Sequence, residues 1–247
     1  MKQEKPLPML YSLHRVPVPS GNSGSVVSME KSGAVLYWMD TRELEDEVYF
    51  SEYYKTMSYE RQRKVDSYIF MKDKRLSLGA GILTDRGLSA YGLCGRDAAV
   101  SYGKNGKPYL PRYPHIHFNL SHSGSRALAV FAETETGCDI ERVQKADLAL
   151  AERFFTPKEY AFIAGQKGRE RQDEAFFRLW TLKESFLKAV GEGLMLSLDA
   201  FEITISPDGE IDVCRKTNEA RALCPGKFAF REYRMGEYCA AVCLWEK

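Results

Sequence analysis

What this 247-residue sequence lacks narrows it before anything else does. It has no apolar run near the roughly 20 residues that a membrane span needs. Its opening, Met1-Lys-Gln-Glu-Lys-Pro6, leads into Pro-rich polar sequence without the apolar stretch of a secretory signal. The expectation is a cytoplasmic chain with no membrane contact. Charge of one sign is also missing: 35 Lys and Arg stand against 34 Asp and Glu. That balance excludes a general basic field for nucleic acid and leaves any phosphate recognition local. The six cysteines form no CxxC pair, and a chain of this length needs no disulfide framework. They read as reduced packing residues.

What is present is 44% hydrophobic residues, enough for one large or two small cores. Residues 1–33 carry prolines and the Ser/Gly stretch Ser20–Ser25, which reads as an arm or linker. From Ala34 the pattern is strand (Ala34–Met39), helices (Ser58–Leu83), then strands at Ile116–Leu120 and Ala127–Ala132. At Thr136 the same order starts again: a strand to Val143, helices from Leu148 to Val190, then strands ending with Ala240–Trp245. The expected fold is therefore α+β, with an N-terminal half at residues 34–134 and a C-terminal half at 135–247. The active site belongs in the cleft between the two halves.

Asp139 and Glu141 are two apart in an apparent strand, so both carboxylates leave one face while Cys138 and Ile140 leave the other. Adjacent carboxylates repel unless a cation or basic side chain sits between them, and oxygen donors favour Mg²⁺ or Mn²⁺. A solvent-facing strand with Arg142 and Lys145 as charge partners explains the pair equally simply.

In Phe176–Val190, Leu179, Leu182, Phe186, Ala189 and Val190 form one apolar stripe at helical spacing, stopped by Gly191 and Gly193. Glu184 and Lys188, one turn apart, lie nearly opposite it beside Phe177, Trp180 and Leu187. A helix apolar on both sides with one acid and one ammonium embedded suggests a central helix lining a pocket. The plain alternative is an exposed ion pair beside inter-domain aromatics.

Ser121-His-Ser-Gly124 reads as a small polar turn after a strand, where backbone N–H groups and His122 could meet an anion. His115, His117 and His122 make only a weak zinc set. Lys107 sits on a rigid Gly-Lys-Pro turn. Arg61, Arg63, Lys64, Lys72, Lys74 and Arg75 form a basic cluster without interleaved aromatics, which favours a discrete phosphate pocket over nucleic acid.

The ordered set Gly106-Lys-Pro-Tyr, Phe118-Asn-Leu-Ser-His-Ser-Gly, Gly137-Cys-Asp-Ile-Glu, Phe154-Phe-Thr-Pro-Lys-Glu-Tyr and Leu179-Trp-Thr-Leu-Lys-Glu-Ser-Phe-Leu-Lys188 closely resembles the Sfp-type 4′-phosphopantetheinyl transferases. The resemblance runs from about Ala34 to the C-terminus, with Cys138 where Val or Ile is usual. It implies two pseudo-twofold α+β halves with coenzyme A in the cleft. The implied activity is Mg²⁺-dependent transfer of phosphopantetheine from coenzyme A to a serine of an acyl or peptidyl carrier protein, releasing 3′,5′-ADP.

The resemblance also implies roles. Asp139, Glu141 and Glu184 would hold Mg²⁺ (or Mn²⁺) on the pyrophosphate, with Asp139 and Glu184 in the catalytic set. Lys107, Ser121 and His122, with Arg75 and Arg63, would hold the phosphates of the 3′-phosphoadenosine end, and Pro108 the adenine side. Lys188 would bind coenzyme A and neutralise the leaving phosphate, with Glu184 as base. The segment Ala146–Phe155, with Leu148, Leu150 and Arg153, would face the carrier, and the chain would act as a monomer. Two other readings are a Mg²⁺-dependent phosphohydrolase acting on a coenzyme A-like pyrophosphate and a non-catalytic coenzyme A- or carrier-binding module.

Overall fold

The structure is a computed structural model and describes residues 14–17, 34–96, 98–191 and 196–246. The first half contains strands β1 (His14–Pro17) and β2 (Val35–Asp40), helices α1 (Glu47–Thr56), α2 (Tyr59–Asp66) and α3 (Met71–Ser89), the short pair β3 (Ser101–Tyr102) and β4 (Pro108–Tyr109), and the hairpin β5 (His117–Ser123) and β6 (Arg126–Ala132). The second half runs β7 (Thr136–Arg142), α4 (Leu148–Phe154), α5 (Pro157–Ala164), α6 (Arg169–Val190), β8 (Phe201–Ile205), β9 (Ile211–Arg215), α7 (Asn218–Leu223), β10 (Lys227–Met235) and β11 (Tyr238–Glu246).

The sheet orders are β1-β2-β6-β5 and β10-β11-β7, antiparallel throughout. Strand β2 pairs with β6, which has β5 on its far side, just as β7 pairs with β11, which has β10 on its far side. The repeat read from the sequence is thus a repeat of topology. Within the stretch read as an arm or linker, β1 pairs with β2 and adds an edge strand to the first sheet. The rest of that arm, and Gly193, lie outside the described residues.

Three cores hold the chain together. Met39, Leu78, Leu83, Ala129 and Phe131 pack with α1–α3 on one face of the first sheet. Leu179, Leu182, Phe186, Phe201 and Phe230 pack around α6. A third core joins the two sheets through the opposite faces of their strands: Leu36, Leu128, Val130, Cys138, Ile140, Ala240 and Val242. Sheets covered on both faces explain why Ala127–Ala132 and Tyr238–Leu244 read as continuous apolar runs rather than alternations.

The edge strands β5 and β7 face each other without a backbone ladder. Small polar side chains at every second position of β5 take its place: Asn119 Oδ1, Ser121 Oγ and Ser123 Oγ accept the N–H groups of Cys138 (3.1 Å), Ile140 (3.4 Å) and Arg142 (3.2 Å). An edge left unpaired in the interior would strand those donors. This seam brings the acidic strand of one half against the polar strand of the other.

Candidate active site

Gly137 decides where α6 lies. A Cβ there would meet Ser185 O at 2.2 Å and Ala189 N at 2.3 Å, so only glycine lets the helix backbone rest directly on β7. That contact carries Glu184 and Lys188 to the acidic pair. The C-terminus of α6 is closed by Gly191 in the left-handed conformation (φ 83°) and clasped by the first half: Asn105 Nδ2 donates to Gly191 O at 3.1 Å and Lys107 Nζ to Ala189 O at 2.6 Å.

The result is a cleft of about 570 Å³, lined by the acids Asp139, Glu141 and Glu184, by Lys188, and by the further basic side chains Arg61, Lys64 and His122. Asp139 is buried; its Oδ1 accepts from Lys188 Nζ at 2.6 Å and from Ser121 Oγ at 2.7 Å. Among the described residues its buried Oδ2 has no hydrogen-bond partner. Glu141 accepts from Ser123 Oγ at 2.6 Å. Burial, and then repulsion from Asp139, pushes the Glu184 carboxyl above the usual carboxylate range. Burial likewise pushes Glu141 up, with Asp139 adding to it against the Ser123 hydrogen bond. Burial opposes the Lys188 ammonium, but the acids around it, Asp139 foremost, hold its pKa above the ordinary lysine value.

These carboxylates fit a hard cation by their donor chemistry: all oxygen, mutually repelling, one buried oxygen orphaned. Among the described residues no three His, Cys, Asp or Glu side chains are gathered into a ready-made metal cage. The neutralising partner at Asp139 is Lys188.

Of the residues expected at the site, Asp139, Glu141, Glu184, Lys188, Ser121, His122, Lys107 and Pro108 all line this cleft. Their settings differ from expectation in three respects. Ser121 and His122 belong to β5, not to a turn, and their backbone is committed to pairing with β6; the Ser121 hydroxyl serves Asp139 and Ile140 rather than standing free. Lys107 is tied to Glu135 and to the α6 carboxyl end. Arg63 lies over the Tyr59 ring at 5.9 Å and Arg75 pairs with Glu45 at 3.5 Å, and neither lines the cleft. His117 meets Glu135 at 3.2 Å instead of gathering a metal.

Arg61 and Lys64 stand in the cleft where Arg63 and Arg75 were expected. Their i,i+3 spacing puts them on one face of α2, a signal the sequence offers. Gly81 makes room for Arg61, since a Cβ there would meet Met57 Sδ at 2.8 Å and Arg61 Cγ at 3.1 Å. Among the described residues no carboxylate pairs with either cation, and burial pushes both pKa values down. Beside them Ser77 lines the cleft with its buried hydroxyl unpartnered.

The α+β fold carries a cleft that gathers three acids and an ammonium with two further cations that, among the described residues, pair with no carboxylate. The description "4′-phosphopantetheinyl transferase superfamily" matches residues 135–243. Over 158 residues the chain is 34% identical to the 4′-phosphopantetheinyl transferase Sfp of Bacillus subtilis, covering 64% of this chain and 70% of that protein. It is 30% identical over 203 residues to the human L-aminoadipate-semialdehyde dehydrogenase-phosphopantetheinyl transferase, covering 74% and 65%. A solved holo-(acyl-carrier-protein) synthase from Bacillus anthracis, in complex with coenzyme A (3′,5′-ADP), is 23% identical over 46% of this chain and 96% of its own, with a TM-score of 0.39. The chain belongs to the 4′-phosphopantetheinyl transferase superfamily.

Proposed function

We propose that this chain moves the 4′-phosphopantetheine group of coenzyme A onto a serine of an apo acyl or peptidyl carrier protein. The observation that carries the reading is that one cleft is lined both by Asp139, Glu184 and Lys188 and by the further cations Arg61 and Lys64. A dinucleotide-like anion such as coenzyme A needs separate charge partners for its pyrophosphate and its 3′-phosphate.

The serine Oγ attacks the β-phosphorus, its proton passes to Glu184, and the bond to the α-phosphate oxygen breaks to release 3′,5′-ADP. Glu184 suits the role of base because burial and Asp139 raise its proton affinity. Lys188, held by Asp139, stands ready to neutralise the charge gathering on the departing phosphate. Asp139, Glu141 and Glu184 would hold Mg²⁺, which supplies charge neutralisation on the pyrophosphate when bound. Arg61 and Lys64, with His122 and Ser77, are assigned to the 3′-phosphate end; Lys107 and Pro108 border the adenine side. One chain supplies both walls of the cleft, which supports a monomer, and six free cysteines fit a reducing cytoplasm.

Intact-mass measurement of an apo-carrier after incubation with the enzyme, coenzyme A and Mg²⁺ tests this. We expect a gain of one phosphopantetheine, lost with EDTA and abolished by Glu184→Gln. Release of free phosphopantetheine without a carrier gain would identify a hydrolase instead.

A further inference from the structure

The chain exposes large apolar side chains unevenly. Among the described residues they fall almost wholly on the first half, and the densest run is the tip between α2 and α3: Ile69 is 87% exposed, Phe70 71% and Met71 51%. Tyr68, the residue before this run, lines the active-site cleft. Tyr102, which also lines it, is exposed as well. The tip thus follows directly in the chain on a residue of the cleft wall.

Phe70 is the N-cap of α3, and it makes no side-chain cap hydrogen bond. Helices α1, α2, α4, α5 and α7 all carry Asp, Ser or Thr at this position with the bond formed. A polar cap stabilises a helix start, whereas phenylalanine leaves the first N–H groups to water. The fold thus forgoes a cap here and presents an aromatic ring to solvent instead.

The surroundings are basic. Between Tyr59 and Arg75 the sequence carries six Lys and Arg against three Asp and Glu, and Arg63, Lys64 and Lys72 are exposed. An apolar centre rimmed with cations matches a partner that presents apolar side chains among carboxylates. By contrast, Leu148 and Leu150 of α4, the expected docking residues, are half-buried against the second-half core.

We propose that Ile69, Phe70 and Met71 form the first half's docking platform for the carrier protein, receiving an acidic, amphipathic helix beside the acceptor serine. This rests on the transferase reading above. The platform holds the partner beside the cleft, while Arg63 and Lys72 steer its approach.

The test is steady-state transfer to an apo-carrier by Phe70→Asp and by Ile69→Asp/Met71→Asp, with coenzyme A affinity measured separately by calorimetry. Phe70→Asp supplies the missing cap, so its melting temperature should hold or rise and misfolding is not the explanation for a loss. The expected result is a carrier KM raised at least tenfold in both variants, kcat at saturating carrier within about twofold, and coenzyme A affinity unchanged. Phe70→Ser, which caps without adding charge, should give a smaller rise. An unchanged carrier KM in both Asp variants overturns the platform while leaving the transferase reading intact; absence of transfer by the wild-type chain sinks the reading itself. A wild-type dimer that Phe70→Asp converts to monomer, with carrier KM unchanged, would show the tip to be a self-interface and likewise overturn the proposal.

Discussion

Asp139 gathers two donors on one oxygen and, among the described residues, leaves the other buried without a partner. Around it stand Glu141 and Glu184, both pushed up by burial. Such a site opposes the fold that contains it. A carboxyl whose folded-state pKa lies above its unfolded value favours folding in its protonated form. That contribution is complete below the ordinary carboxylate range and is lost as the pH rises through the raised folded-state value. At pH 8 the ionised Glu184 therefore works against stability. Glu184→Gln should raise the melting temperature of the metal-free protein at pH 8, by about 2–4 °C for each kcal/mol of repulsion and desolvation relieved. The gain should shrink as the pH falls toward 5. Thermal melts in EDTA at the two pH values check this, and a variant less stable than wild type at pH 8 would contradict the assignment of strain to Glu184. The acids were legible in the sequence, because period-two spacing in a strand and i,i+4 spacing in a helix fix which side chains share a face. The serines that hold them were not. Ser121 and Ser123 read as a phosphate-binding turn, since nothing local says that a second edge strand will lie alongside.

At the scale of the element, α6 is the organiser. Its two-sided apolar pattern correctly announced a central helix: Leu179, Leu182 and Phe186 are buried on one side, Phe177 and Leu187 on the other. What the pattern could not show is how its register is set. Lys183, next to Glu184, is 0% exposed; its Nζ donates to Glu159 Oε1 (2.7 Å) and Oε2 (2.8 Å) and to Phe201 O (2.8 Å). Glu159 also accepts from the N–H groups of Thr156 and Ile203, as part of the α5 capping box and the β8 edge. One ion pair thus fixes α6 against α5 and β8 on the face away from the cleft. Burial nevertheless pushes the Lys183 pKa down to about 8, so the pair does not recover all its desolvation. Breaking it is a different matter, because the surviving charge stays buried. Lys183→Met should cost about 3–5 kcal/mol, read as a fall in the urea midpoint at unchanged slope. Adding Glu159→Gln to it should recover part of the loss. The basic cluster shows the opposite limit of legibility. Helical spacing joined Arg61 to Lys64, yet which cation pair faced the cleft depended on how α2 lies across α3 at Gly81, a tertiary contact.

For the molecule as a whole, the duplicated strand order was visible in the sequence, but the degree to which the halves depend on each other was not. Weak letter similarity can suggest a repeat; it does not say that the outer faces of both sheets become a shared core. Cys138, Ile140, Ala240 and Val242 from the second half bury against Leu36, Leu128 and Val130 from the first. The β7 N–H groups find their acceptors on β5, and α6 ends under Asn105 and Lys107. A half cut loose would expose an apolar sheet face and an unpaired edge together, the combination that drives association. Residues 135–247 expressed alone should therefore self-associate or precipitate, whereas the intact chain should unfold in one calorimetric transition with equal van't Hoff and calorimetric enthalpies. Two separated transitions would mean that the halves are independent and that the cleft between them opens without unfolding. A single transition would tie the catalytic geometry to global stability, because Asp139 and Ser121, the pair that orients Lys188, come from opposite sides of that seam.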